Sequence, residues 1–469
     1  MAVYTQIDNP ELYFQTKLYA GTGSALSITL DGSENMQPDW VWIKERNASS
    51  SSHNLTDSVR GAGKGLFSND NSAEYDYGTG SAGSVKSFDS DGFTLGTASQ
   101  VNPSGVNMVS WNWKAGGSAP AITYTVKVVS DSGNKYRFDD FGTSAVTLDL
   151  QEGGTYTFDQ SDSSNSGHPL RFSTTSNGTH GGGSEYTTGV TVTGTPGNSG
   201  AKTVITVAAS APTLYYYCTQ HSAMGGQANT NSTFGSSNFG GSVQSTVSAN
   251  TTAGFSIVKF TSSSSNGAMT TGHGLGATPQ LVIVKDIGAT GNWQVYFEGI
   301  GTANQQYLKL NGTDALANYS NLWGAGMTSS VIGIGVGDVV DANESDIAYC
   351  FAEKKGYSKF GSYKGNGNAD GTFVFCGFKP AFVMVKPTTT ADNWVMFDNK
   401  RLGYNPDNNF IYANKNFVEN DADIIDFTSN GFKQTSSGGT SNRSGDTFIY
   451  MAFAESPFVT STGIPTTAR

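Results

Sequence analysis

The sequence predicts an all-β protein built of tandem antiparallel β-sandwiches. Glycine numbers 59 among 469 residues, well above the usual ~7%. Aromatic residues reach 12% while charged residues make up only 14%, against a typical ~25%. Turn formers combined with aromatic and β-branched residues are what many short strands and tight turns require. No long stretch sustains a 3.6-residue apolar period, so little helix is expected. The length exceeds what one hydrophobic core organises and predicts roughly three or four domains.

The first element of the reading is an internal repeat. Gln37-Pro38-Asp39-Trp40-Val41-Trp42-Ile43-Lys44 recurs as Thr278-Pro279-Gln280-Leu281-Val282-Ile283-Val284-Lys285 and as Lys379-Pro380-Ala381-Phe382-Val383-Met384-Val385-Lys386. Each copy is a proline, a nearly unbroken apolar run and a closing lysine. Proline suits the start of a strand, and apolar side chains on both faces mark a strand covered on both sides. Each copy later reaches a second apolar strand, ending at Trp113, Phe351 and Phe453. The spacings from proline to last aromatic are 113−38 = 75, 351−279 = 72 and 453−380 = 73. Copies one and three also share His53 with Trp394, Asp57 with Asp398, and Arg60 with Arg401. Asp91-Gly92 and Asn430-Gly431 are dipeptides that favour type I′ hairpins. The copies span residues 1–116, 253–354 and 355–456, followed by a tail at 457–469.

These copies resemble the lectin-like, concanavalin-like sandwich domains of the jelly-roll type that recur in tail-fibre and other structural proteins of marine bacteriophages. The likeness rests on the proline-led strand of copy one, on Asp57-Ser58-Val59-Arg60-Gly61, on Ser90-Asp91-Gly92-Phe93-Thr94-Leu95-Gly96, and on Ala348-Tyr349-Cys350-Phe351-Ala352-Glu353. It covers about two-thirds of the chain. Copy two departs most, since it lacks the Asp/Arg pair. The resemblance implies a virion structural protein, in the manner of a fibre, spike or surface decoration, with host-surface glycan as a candidate ligand.

Between copies one and two the pattern changes. Residues 114–120 read as a short linker and 227–252 as a longer Gly/Ser/Asn/Thr one. The segment 121–226 holds strand-like Tyr124-Thr125-Val126-Lys127-Val128-Val129 and Gly154-Thr155-Tyr156-Thr157-Phe158, then Gly167-His168-Pro169, then Leu214-Tyr215-Tyr216-Tyr217-Cys218-Thr219-Gln220-His221-Ser222-Ala223-Met224. One early His, followed by Cys, His and Met close together, supplies the donor types of a blue-copper site: a thiolate and two imidazoles in a trigonal plane, and a thioether as weak axial ligand. The segment resembles the cupredoxins, Greek-key sandwiches, with an amicyanin-like short ligand loop. That likeness implies His168, Cys218, His221 and Met224 as ligands and copper as the cofactor. Here Pro212-Thr213-Leu214 replaces the usual Gly-Thr-Tyr before the cysteine strand. His180, in a glycine-rich loop, is an outside candidate as a substitute ligand.

Other signals are weaker. Asp89-Ser90-Asp91-Gly92 looks like the opening of a calcium loop, but no acidic residue follows at the required distance, and no calcium is expected. Glu419-Asn420-Asp421-Ala422-Asp423 resembles the carboxylate run of sandwich glucanases, yet Ile424 stands where the last acid belongs. Trp40, Trp42, Trp111 and Trp113 align with aliphatic or other aromatic residues in the other copies and read as core. Asp57 with Arg60 reads as a structural ion pair, and His273 as a loop residue. Cys350 aligns with Asn112 and Ala452 and reads, like Cys376, as an ordinary thiol.

The net charge of −11 and the lack of a basic stripe argue against nucleic acid. No apolar run approaches the ~18 residues of a membrane span, so no membrane insertion is expected. The N-terminal Met1-Ala2-Val3-Tyr4-Thr5-Gln6 lacks the basic and apolar regions of a signal peptide. These features predict a homo-oligomeric virion protein, folded in the host cytoplasm, exposed after lysis and partnered by other virion proteins. No catalytic constellation stands out, so an enzyme is not expected. The competing readings are a copper-binding or redox protein, and a glycan-cleaving enzyme.

Overall fold

The computed structural model describes residues 4–47, 51–117, 119–231, 234–337, 339–401, 405 and 408–466. Met1-Ala2-Val3, Ser118 and residues 232–233 of the expected linkers, and residues 467–469 of the expected tail lie outside them. Strand accounts for 43% of the chain and helix for 3%, so the protein is all-β and built of sandwiches.

Each copy places the same strands in the same order. In copy one the main sheet runs Phe14–Ala20, Asn107–Trp113, Trp40–Glu45, Asn54–Asp57. Copy two has Phe255–Thr261, Ser345–Phe351, Leu281–Asp286, Gln294–Phe297, and copy three Ser358–Lys364, Thr447–Pro457, Phe378–Pro387, Val395–Asp398. The proline-led strand is therefore central in all three. Pro38 and Pro279 precede their strands, whereas Pro380 sits at a break in register against Thr447–Pro457, so none removes a regular ladder donor.

Side chains alternate across a strand, and both faces of the central strand are covered by different partners. Val41 and Ile43, Val282 and Val284, and Val383 and Val385 pack inside their own sandwiches against the smaller second sheet. Trp40 and Trp42, Leu281 and Ile283, and Phe382 and Met384 point the other way, into one cluster shared by all three copies. There Trp40 stacks on Tyr349 at 4.3 Å between ring centroids, and Trp113 meets Phe382 at 5.7 Å and Phe453 at 5.8 Å. Such pairs add about 0.5–1.5 kcal/mol each beyond the area they bury. The four tryptophans of copy one are fully buried.

Around this core the copies interlock as a ring. His53, Trp293 and Trp394 each stand one residue before the outer strand that flanks the central one. Trp293 Nε1 donates to Phe67 O at 2.9 Å and Trp394 Nε1 to Lys309 O at 2.9 Å, while His53 Nε2 lies 2.9 Å from Tyr412 O. Copy two thus bonds to copy one, copy three to copy two, and copy one to copy three. Trp42 Nε1 donates to His53 Nδ1 at 2.8 Å, which leaves Nε2 as the protonated nitrogen. A second set follows the same direction: Tyr349 Oη donates to Asp57 Oδ2 at 2.7 Å and Trp111 Nε1 to Asp398 Oδ2 at 3.0 Å. Each aspartate also pairs with its own arginine, Asp57 with Arg60 and Asp398 with Arg401. In copy two the aspartate position is Phe297, and the donor position that would serve it, in copy three, is Met451. An apolar residue replaces the acid where the facing position offers no proton.

The closing lysines, Lys44, Lys285 and Lys386, are fully buried. Their ammonium groups donate to backbone carbonyls, Lys44 to Glu45 O at 2.9 Å and Lys386 to Asp314 O at 2.9 Å and Pro387 O at 3.0 Å. Burial pushes all three down to about 8.

Two expectations need correction. In the hairpins at Asp91-Gly92 and Asn430-Gly431 the ladder closes at Asp89↔Gly92 and Thr428↔Gly431, so the turn residues are Ser90-Asp91 and Ser429-Asn430. None of these residues has positive φ, so the turns are not type I′. The glycines serve close packing instead: a Cβ would lie 1.9 Å from Ile28 O at Gly92 and 2.0 Å from Val374 O at Gly431. The stretch 227–252, expected as linker, is largely strand. Gly226–Asn231 completes a sheet of the insert, while Ser236–Asn238 and Ser245–Asn250 extend the main sheet of copy two.

The insert is a sandwich of two five-stranded sheets. One runs Asn134–Phe138, Ala121–Ser130, Thr155–Asp159, Lys202–Thr206, Val190–Thr193. The other runs Leu148–Gln151, Gly226–Asn231, Leu214–Cys218, Leu170–Ser173, Glu185–Tyr186. Each contains one parallel pair among antiparallel ones. The insert docks on copy two through Tyr124 Oη to Ser237 O at 2.8 Å, Asp149 N to Ser237 Oγ at 2.8 Å and Thr246 Oγ1 to Asp149 Oδ2 at 2.5 Å.

Candidate metal centre

The strand Leu214–Cys218 sends Leu214, Tyr216 and Cys218 into the core of the insert. It pairs antiparallel with Leu170–Ser173, with Leu170 opposite Cys218. His168 therefore lies just beyond the end of its strand, beside the cysteine.

The His168 backbone is held from several sides. Its N–H donates to Asn165 O at 2.8 Å, and its carbonyl accepts from Tyr136 Oη and Gln160 Nε2, each at 2.9 Å. Gln160 Oε1 in turn accepts from Leu170 N at 3.1 Å, so one amide spans the turn. On the other side of the site the loop after Cys218 closes by two local devices. Ala223 is left-handed, with φ 60°, and its N–H donates to Asn177 Oδ1 at 2.7 Å. Gly225 follows, where a Cβ would lie 1.7 Å from Tyr216 O. Together these fold the loop back so that His221 returns over Cys218.

The resulting cluster of three donors is one that could hold a metal ion. Cys218 Sγ lies 3.9 Å from His168 Nδ1 and 3.8 Å from His221 Nδ1. All three donor atoms fall within 4.8 Å of one another. Metal–sulfur and metal–imidazole bonds of about 2.3 and 2.1 Å would put bound sulfur and nitrogen about 3.6 Å apart. Little movement is needed to bind an ion. Cys218 is buried, His168 half-buried and His221 exposed, so the site opens on one side. Burial, and secondarily the His221 ring, hold His168 below its ordinary value, which favours the neutral ligating imidazole. Tyr136 is pushed up by burial first and then by the adjacent Cys218, so its phenol stays protonated and can donate.

Met224 is buried in the same apolar cluster as Cys218, beneath the loop that exposes His221. His180 does not join the three donors: its Nε2 lies 3.1 Å from Cys218 O and so supports the backbone of the ligand instead. Tyr136, Gln160 and Asn165 were not legible as parts of a site, because each is a single polar residue in a strand or turn with no spacing rule to mark it.

The remaining candidates are structural. Glu419 binds Arg46 of copy one through two 3.0 Å contacts and Arg401 at 3.3 Å, so it bridges two copies, while Asp421 and Asp423 are exposed. His273 is buried, with Leu275 N donating to its Nδ1 at 3.2 Å. Cys350 and Cys376 are buried free thiols, both pushed up to about 12 by burial.

A family model described as Domain of unknown function (DUF7483) matches residues 9–145 and 227–457. The chain belongs to this family. No curated protein and no solved structure matches the chain. The DUF7483 match takes in all three copies and passes over residues 146–226. His168, Cys218, His221 and Met224 all fall in that unmatched stretch, so the candidate metal centre lies in a part of this chain that the family model does not describe.

Proposed function

We propose that the insert of this DUF7483 protein is a mononuclear copper centre, carried on a structural, display-type component of a bacteriophage virion. The observation that supports copper is the convergence of Cys218 Sγ, His168 Nδ1 and His221 Nδ1 within 4.8 Å, with a buried thioether, Met224, beneath the same loop. One thiolate and two imidazoles suit copper, and a weak thioether ligand is characteristic of it. The likeness of the insert to cupredoxins, in the order His, Cys, His, Met, points the same way.

The structural role is supported by the three interlocked sandwiches and by their likeness to bacteriophage fibre domains. A cleft of about 610 Å³ where the insert meets copy two, lined by the aromatic rings of Tyr124 and Phe239 as well as by Asp139, Gln151, Ser237 and Asn238, is the place we assign to a host-surface glycan. Titration of the protein with Cu(II) under non-reducing conditions tests the centre: one equivalent should produce an intense visible thiolate-to-copper band. Detection of the chain in purified particles tests the structural role, and its absence from particles would remove that role while leaving the copper centre standing.

A further inference from the structure

Copy two differs from its sister copies at the far end of its central strands. Asp286 and Asp346 are register partners on neighbouring strands, in the antiparallel pair Leu281–Asp286 and Ser345–Phe351. Register partners in copy one are Glu45 and Met108, and in copy three Pro387 and Phe448. Met108 and Phe448 are core residues of their sandwiches. By the alternation that puts Val282, Val284, Ala348 and Cys350 inside the copy-two sandwich, Asp286 and Asp346 point into the same interior. Copy two thus has two facing carboxylates where copy one sets a single one, Glu45, against Met108 and copy three has none.

This arrangement is costly without a cation. Asp346 is fully buried, Asp286 is 3% exposed, and among the described residues neither Asp346 oxygen nor Asp286 Oδ2 has a hydrogen-bond partner. Asp286 Oδ1 is held by Ala289 N at 2.8 Å, which fixes the carboxylate in place. Like charges directly opposite in a sheet destabilise it, and a buried carboxylate needs a compensating partner. Burial first, then Asp286 and Glu344, push Asp346 up to about 9. The ammonium of Lys285 is near enough to draw Asp346 partly back down, but it is engaged with the Asp286 and Ala289 carbonyls and is not within ion-pair distance of either carboxylate. Glu344, half-buried, sets its carboxylate against Gly288 on the neighbouring loop.

We propose that Asp286 and Asp346 form the inner half of a calcium site at this end of the copy-two sandwich, with Glu344 at its mouth and water completing the shell. The donors are hard anionic oxygens, the type that calcium takes with six to eight ligands in a flexible geometry. The site is separate from the soft Cys/His centre, which has little affinity for calcium.

The test uses chelator-treated full-length protein titrated with calcium chloride by calorimetry, together with thermal unfolding in the presence and absence of the ion. One calcium per chain and a rise in the unfolding midpoint are expected. Asp346→Met, which installs the copy-one residue, should abolish both responses. Its calcium-free midpoint should equal or exceed that of the calcium-free wild type, since a buried like-charge pair is removed. Asp346→Asn provides the same comparison if the methionine variant does not fold. A wild type that takes up no calcium, as a proton shared between the two carboxylates would produce, overturns the proposal. So does an Asp346→Met variant that binds calcium as the wild type does.

Discussion

Replacing Tyr349 by Phe removes a single oxygen from the middle of the core that the three copies share. That oxygen donates to Asp57 Oδ2 at 2.7 Å across the boundary between copies two and one, and lies 3.4 Å from Arg60 Nη2. A hydrogen bond to a charged group contributes about 1.5–3 kcal/mol. Asp57 keeps Arg60 Nε at 2.5 Å and the backbone N–H groups of Val59 and Arg60, so the carboxylate is not orphaned and the lower part of that range applies. The stack on Trp40 survives, because the ring is retained. The expected cost is about 1.5–2 kcal/mol. It should appear in urea unfolding followed by tryptophan fluorescence as an earlier midpoint with unchanged slope. The buried tryptophans of copy one and Trp293 and Trp394 of the other copies line the same core, so one transition should move as a whole. A loss below about 0.5 kcal/mol, or a transition that splits with copy one unaffected, would refute the interlocked core.

Trp111→Phe should behave likewise at the boundary of copies one and three, costing about 1.5–3 kcal/mol for the bond to Asp398 plus some ring packing, measured in the same way. Cys218→Ser should eliminate the copper band while costing no more than about 1–3 kcal/mol of stability for a buried hydroxyl, checked by absorbance and urea unfolding. Gln160→Leu frees the His168 turn and should weaken copper binding about 10–100-fold in a competition titration. Burial holds His53 down at about 3, far below its unfolded value, so its contribution to stability is complete above about pH 6.5 and declines as pH falls toward about 3. The slope from this residue is about 1.4 kcal/mol per pH unit, and His53→Gln, which can keep both hydrogen bonds, should flatten the stability profile over that window.

The parts of the fold that were legible in the sequence are those set by local pattern. The proline-led apolar runs marked the central strands, and their apolar character on both faces correctly implied two covered faces. Sequence could not say what covers the second face, because Trp40 meets Tyr349 and Trp111 meets Asp398 across hundreds of residues. The Asp57/Arg60 pair was legible as an ion pair by its short spacing, whereas its third partner, the Tyr349 hydroxyl, comes from another copy. The strands within 227–252 were missed because Ser, Thr and Asn at a sheet edge look the same as in a linker. For the site, Cys218 and His221 are close in sequence and His168 follows from the family likeness. Tyr136 and Gln160 act through a backbone carbonyl, which leaves no trace in side-chain chemistry.

The ring of three sandwiches has a consequence for stoichiometry. A ring assembled from three identical chains would present every attachment three times, or not at all. Here the three positions are written separately along one chain, so each can be given its own cargo. Copy two docks the insert with its Cys/His cluster and pairs Asp286 with Asp346, copy one has Glu45 against Met108 at the matching register, and copy three has Pro387 against Phe448. Covalent linkage thus turns a symmetric ring into one with three distinguishable addresses.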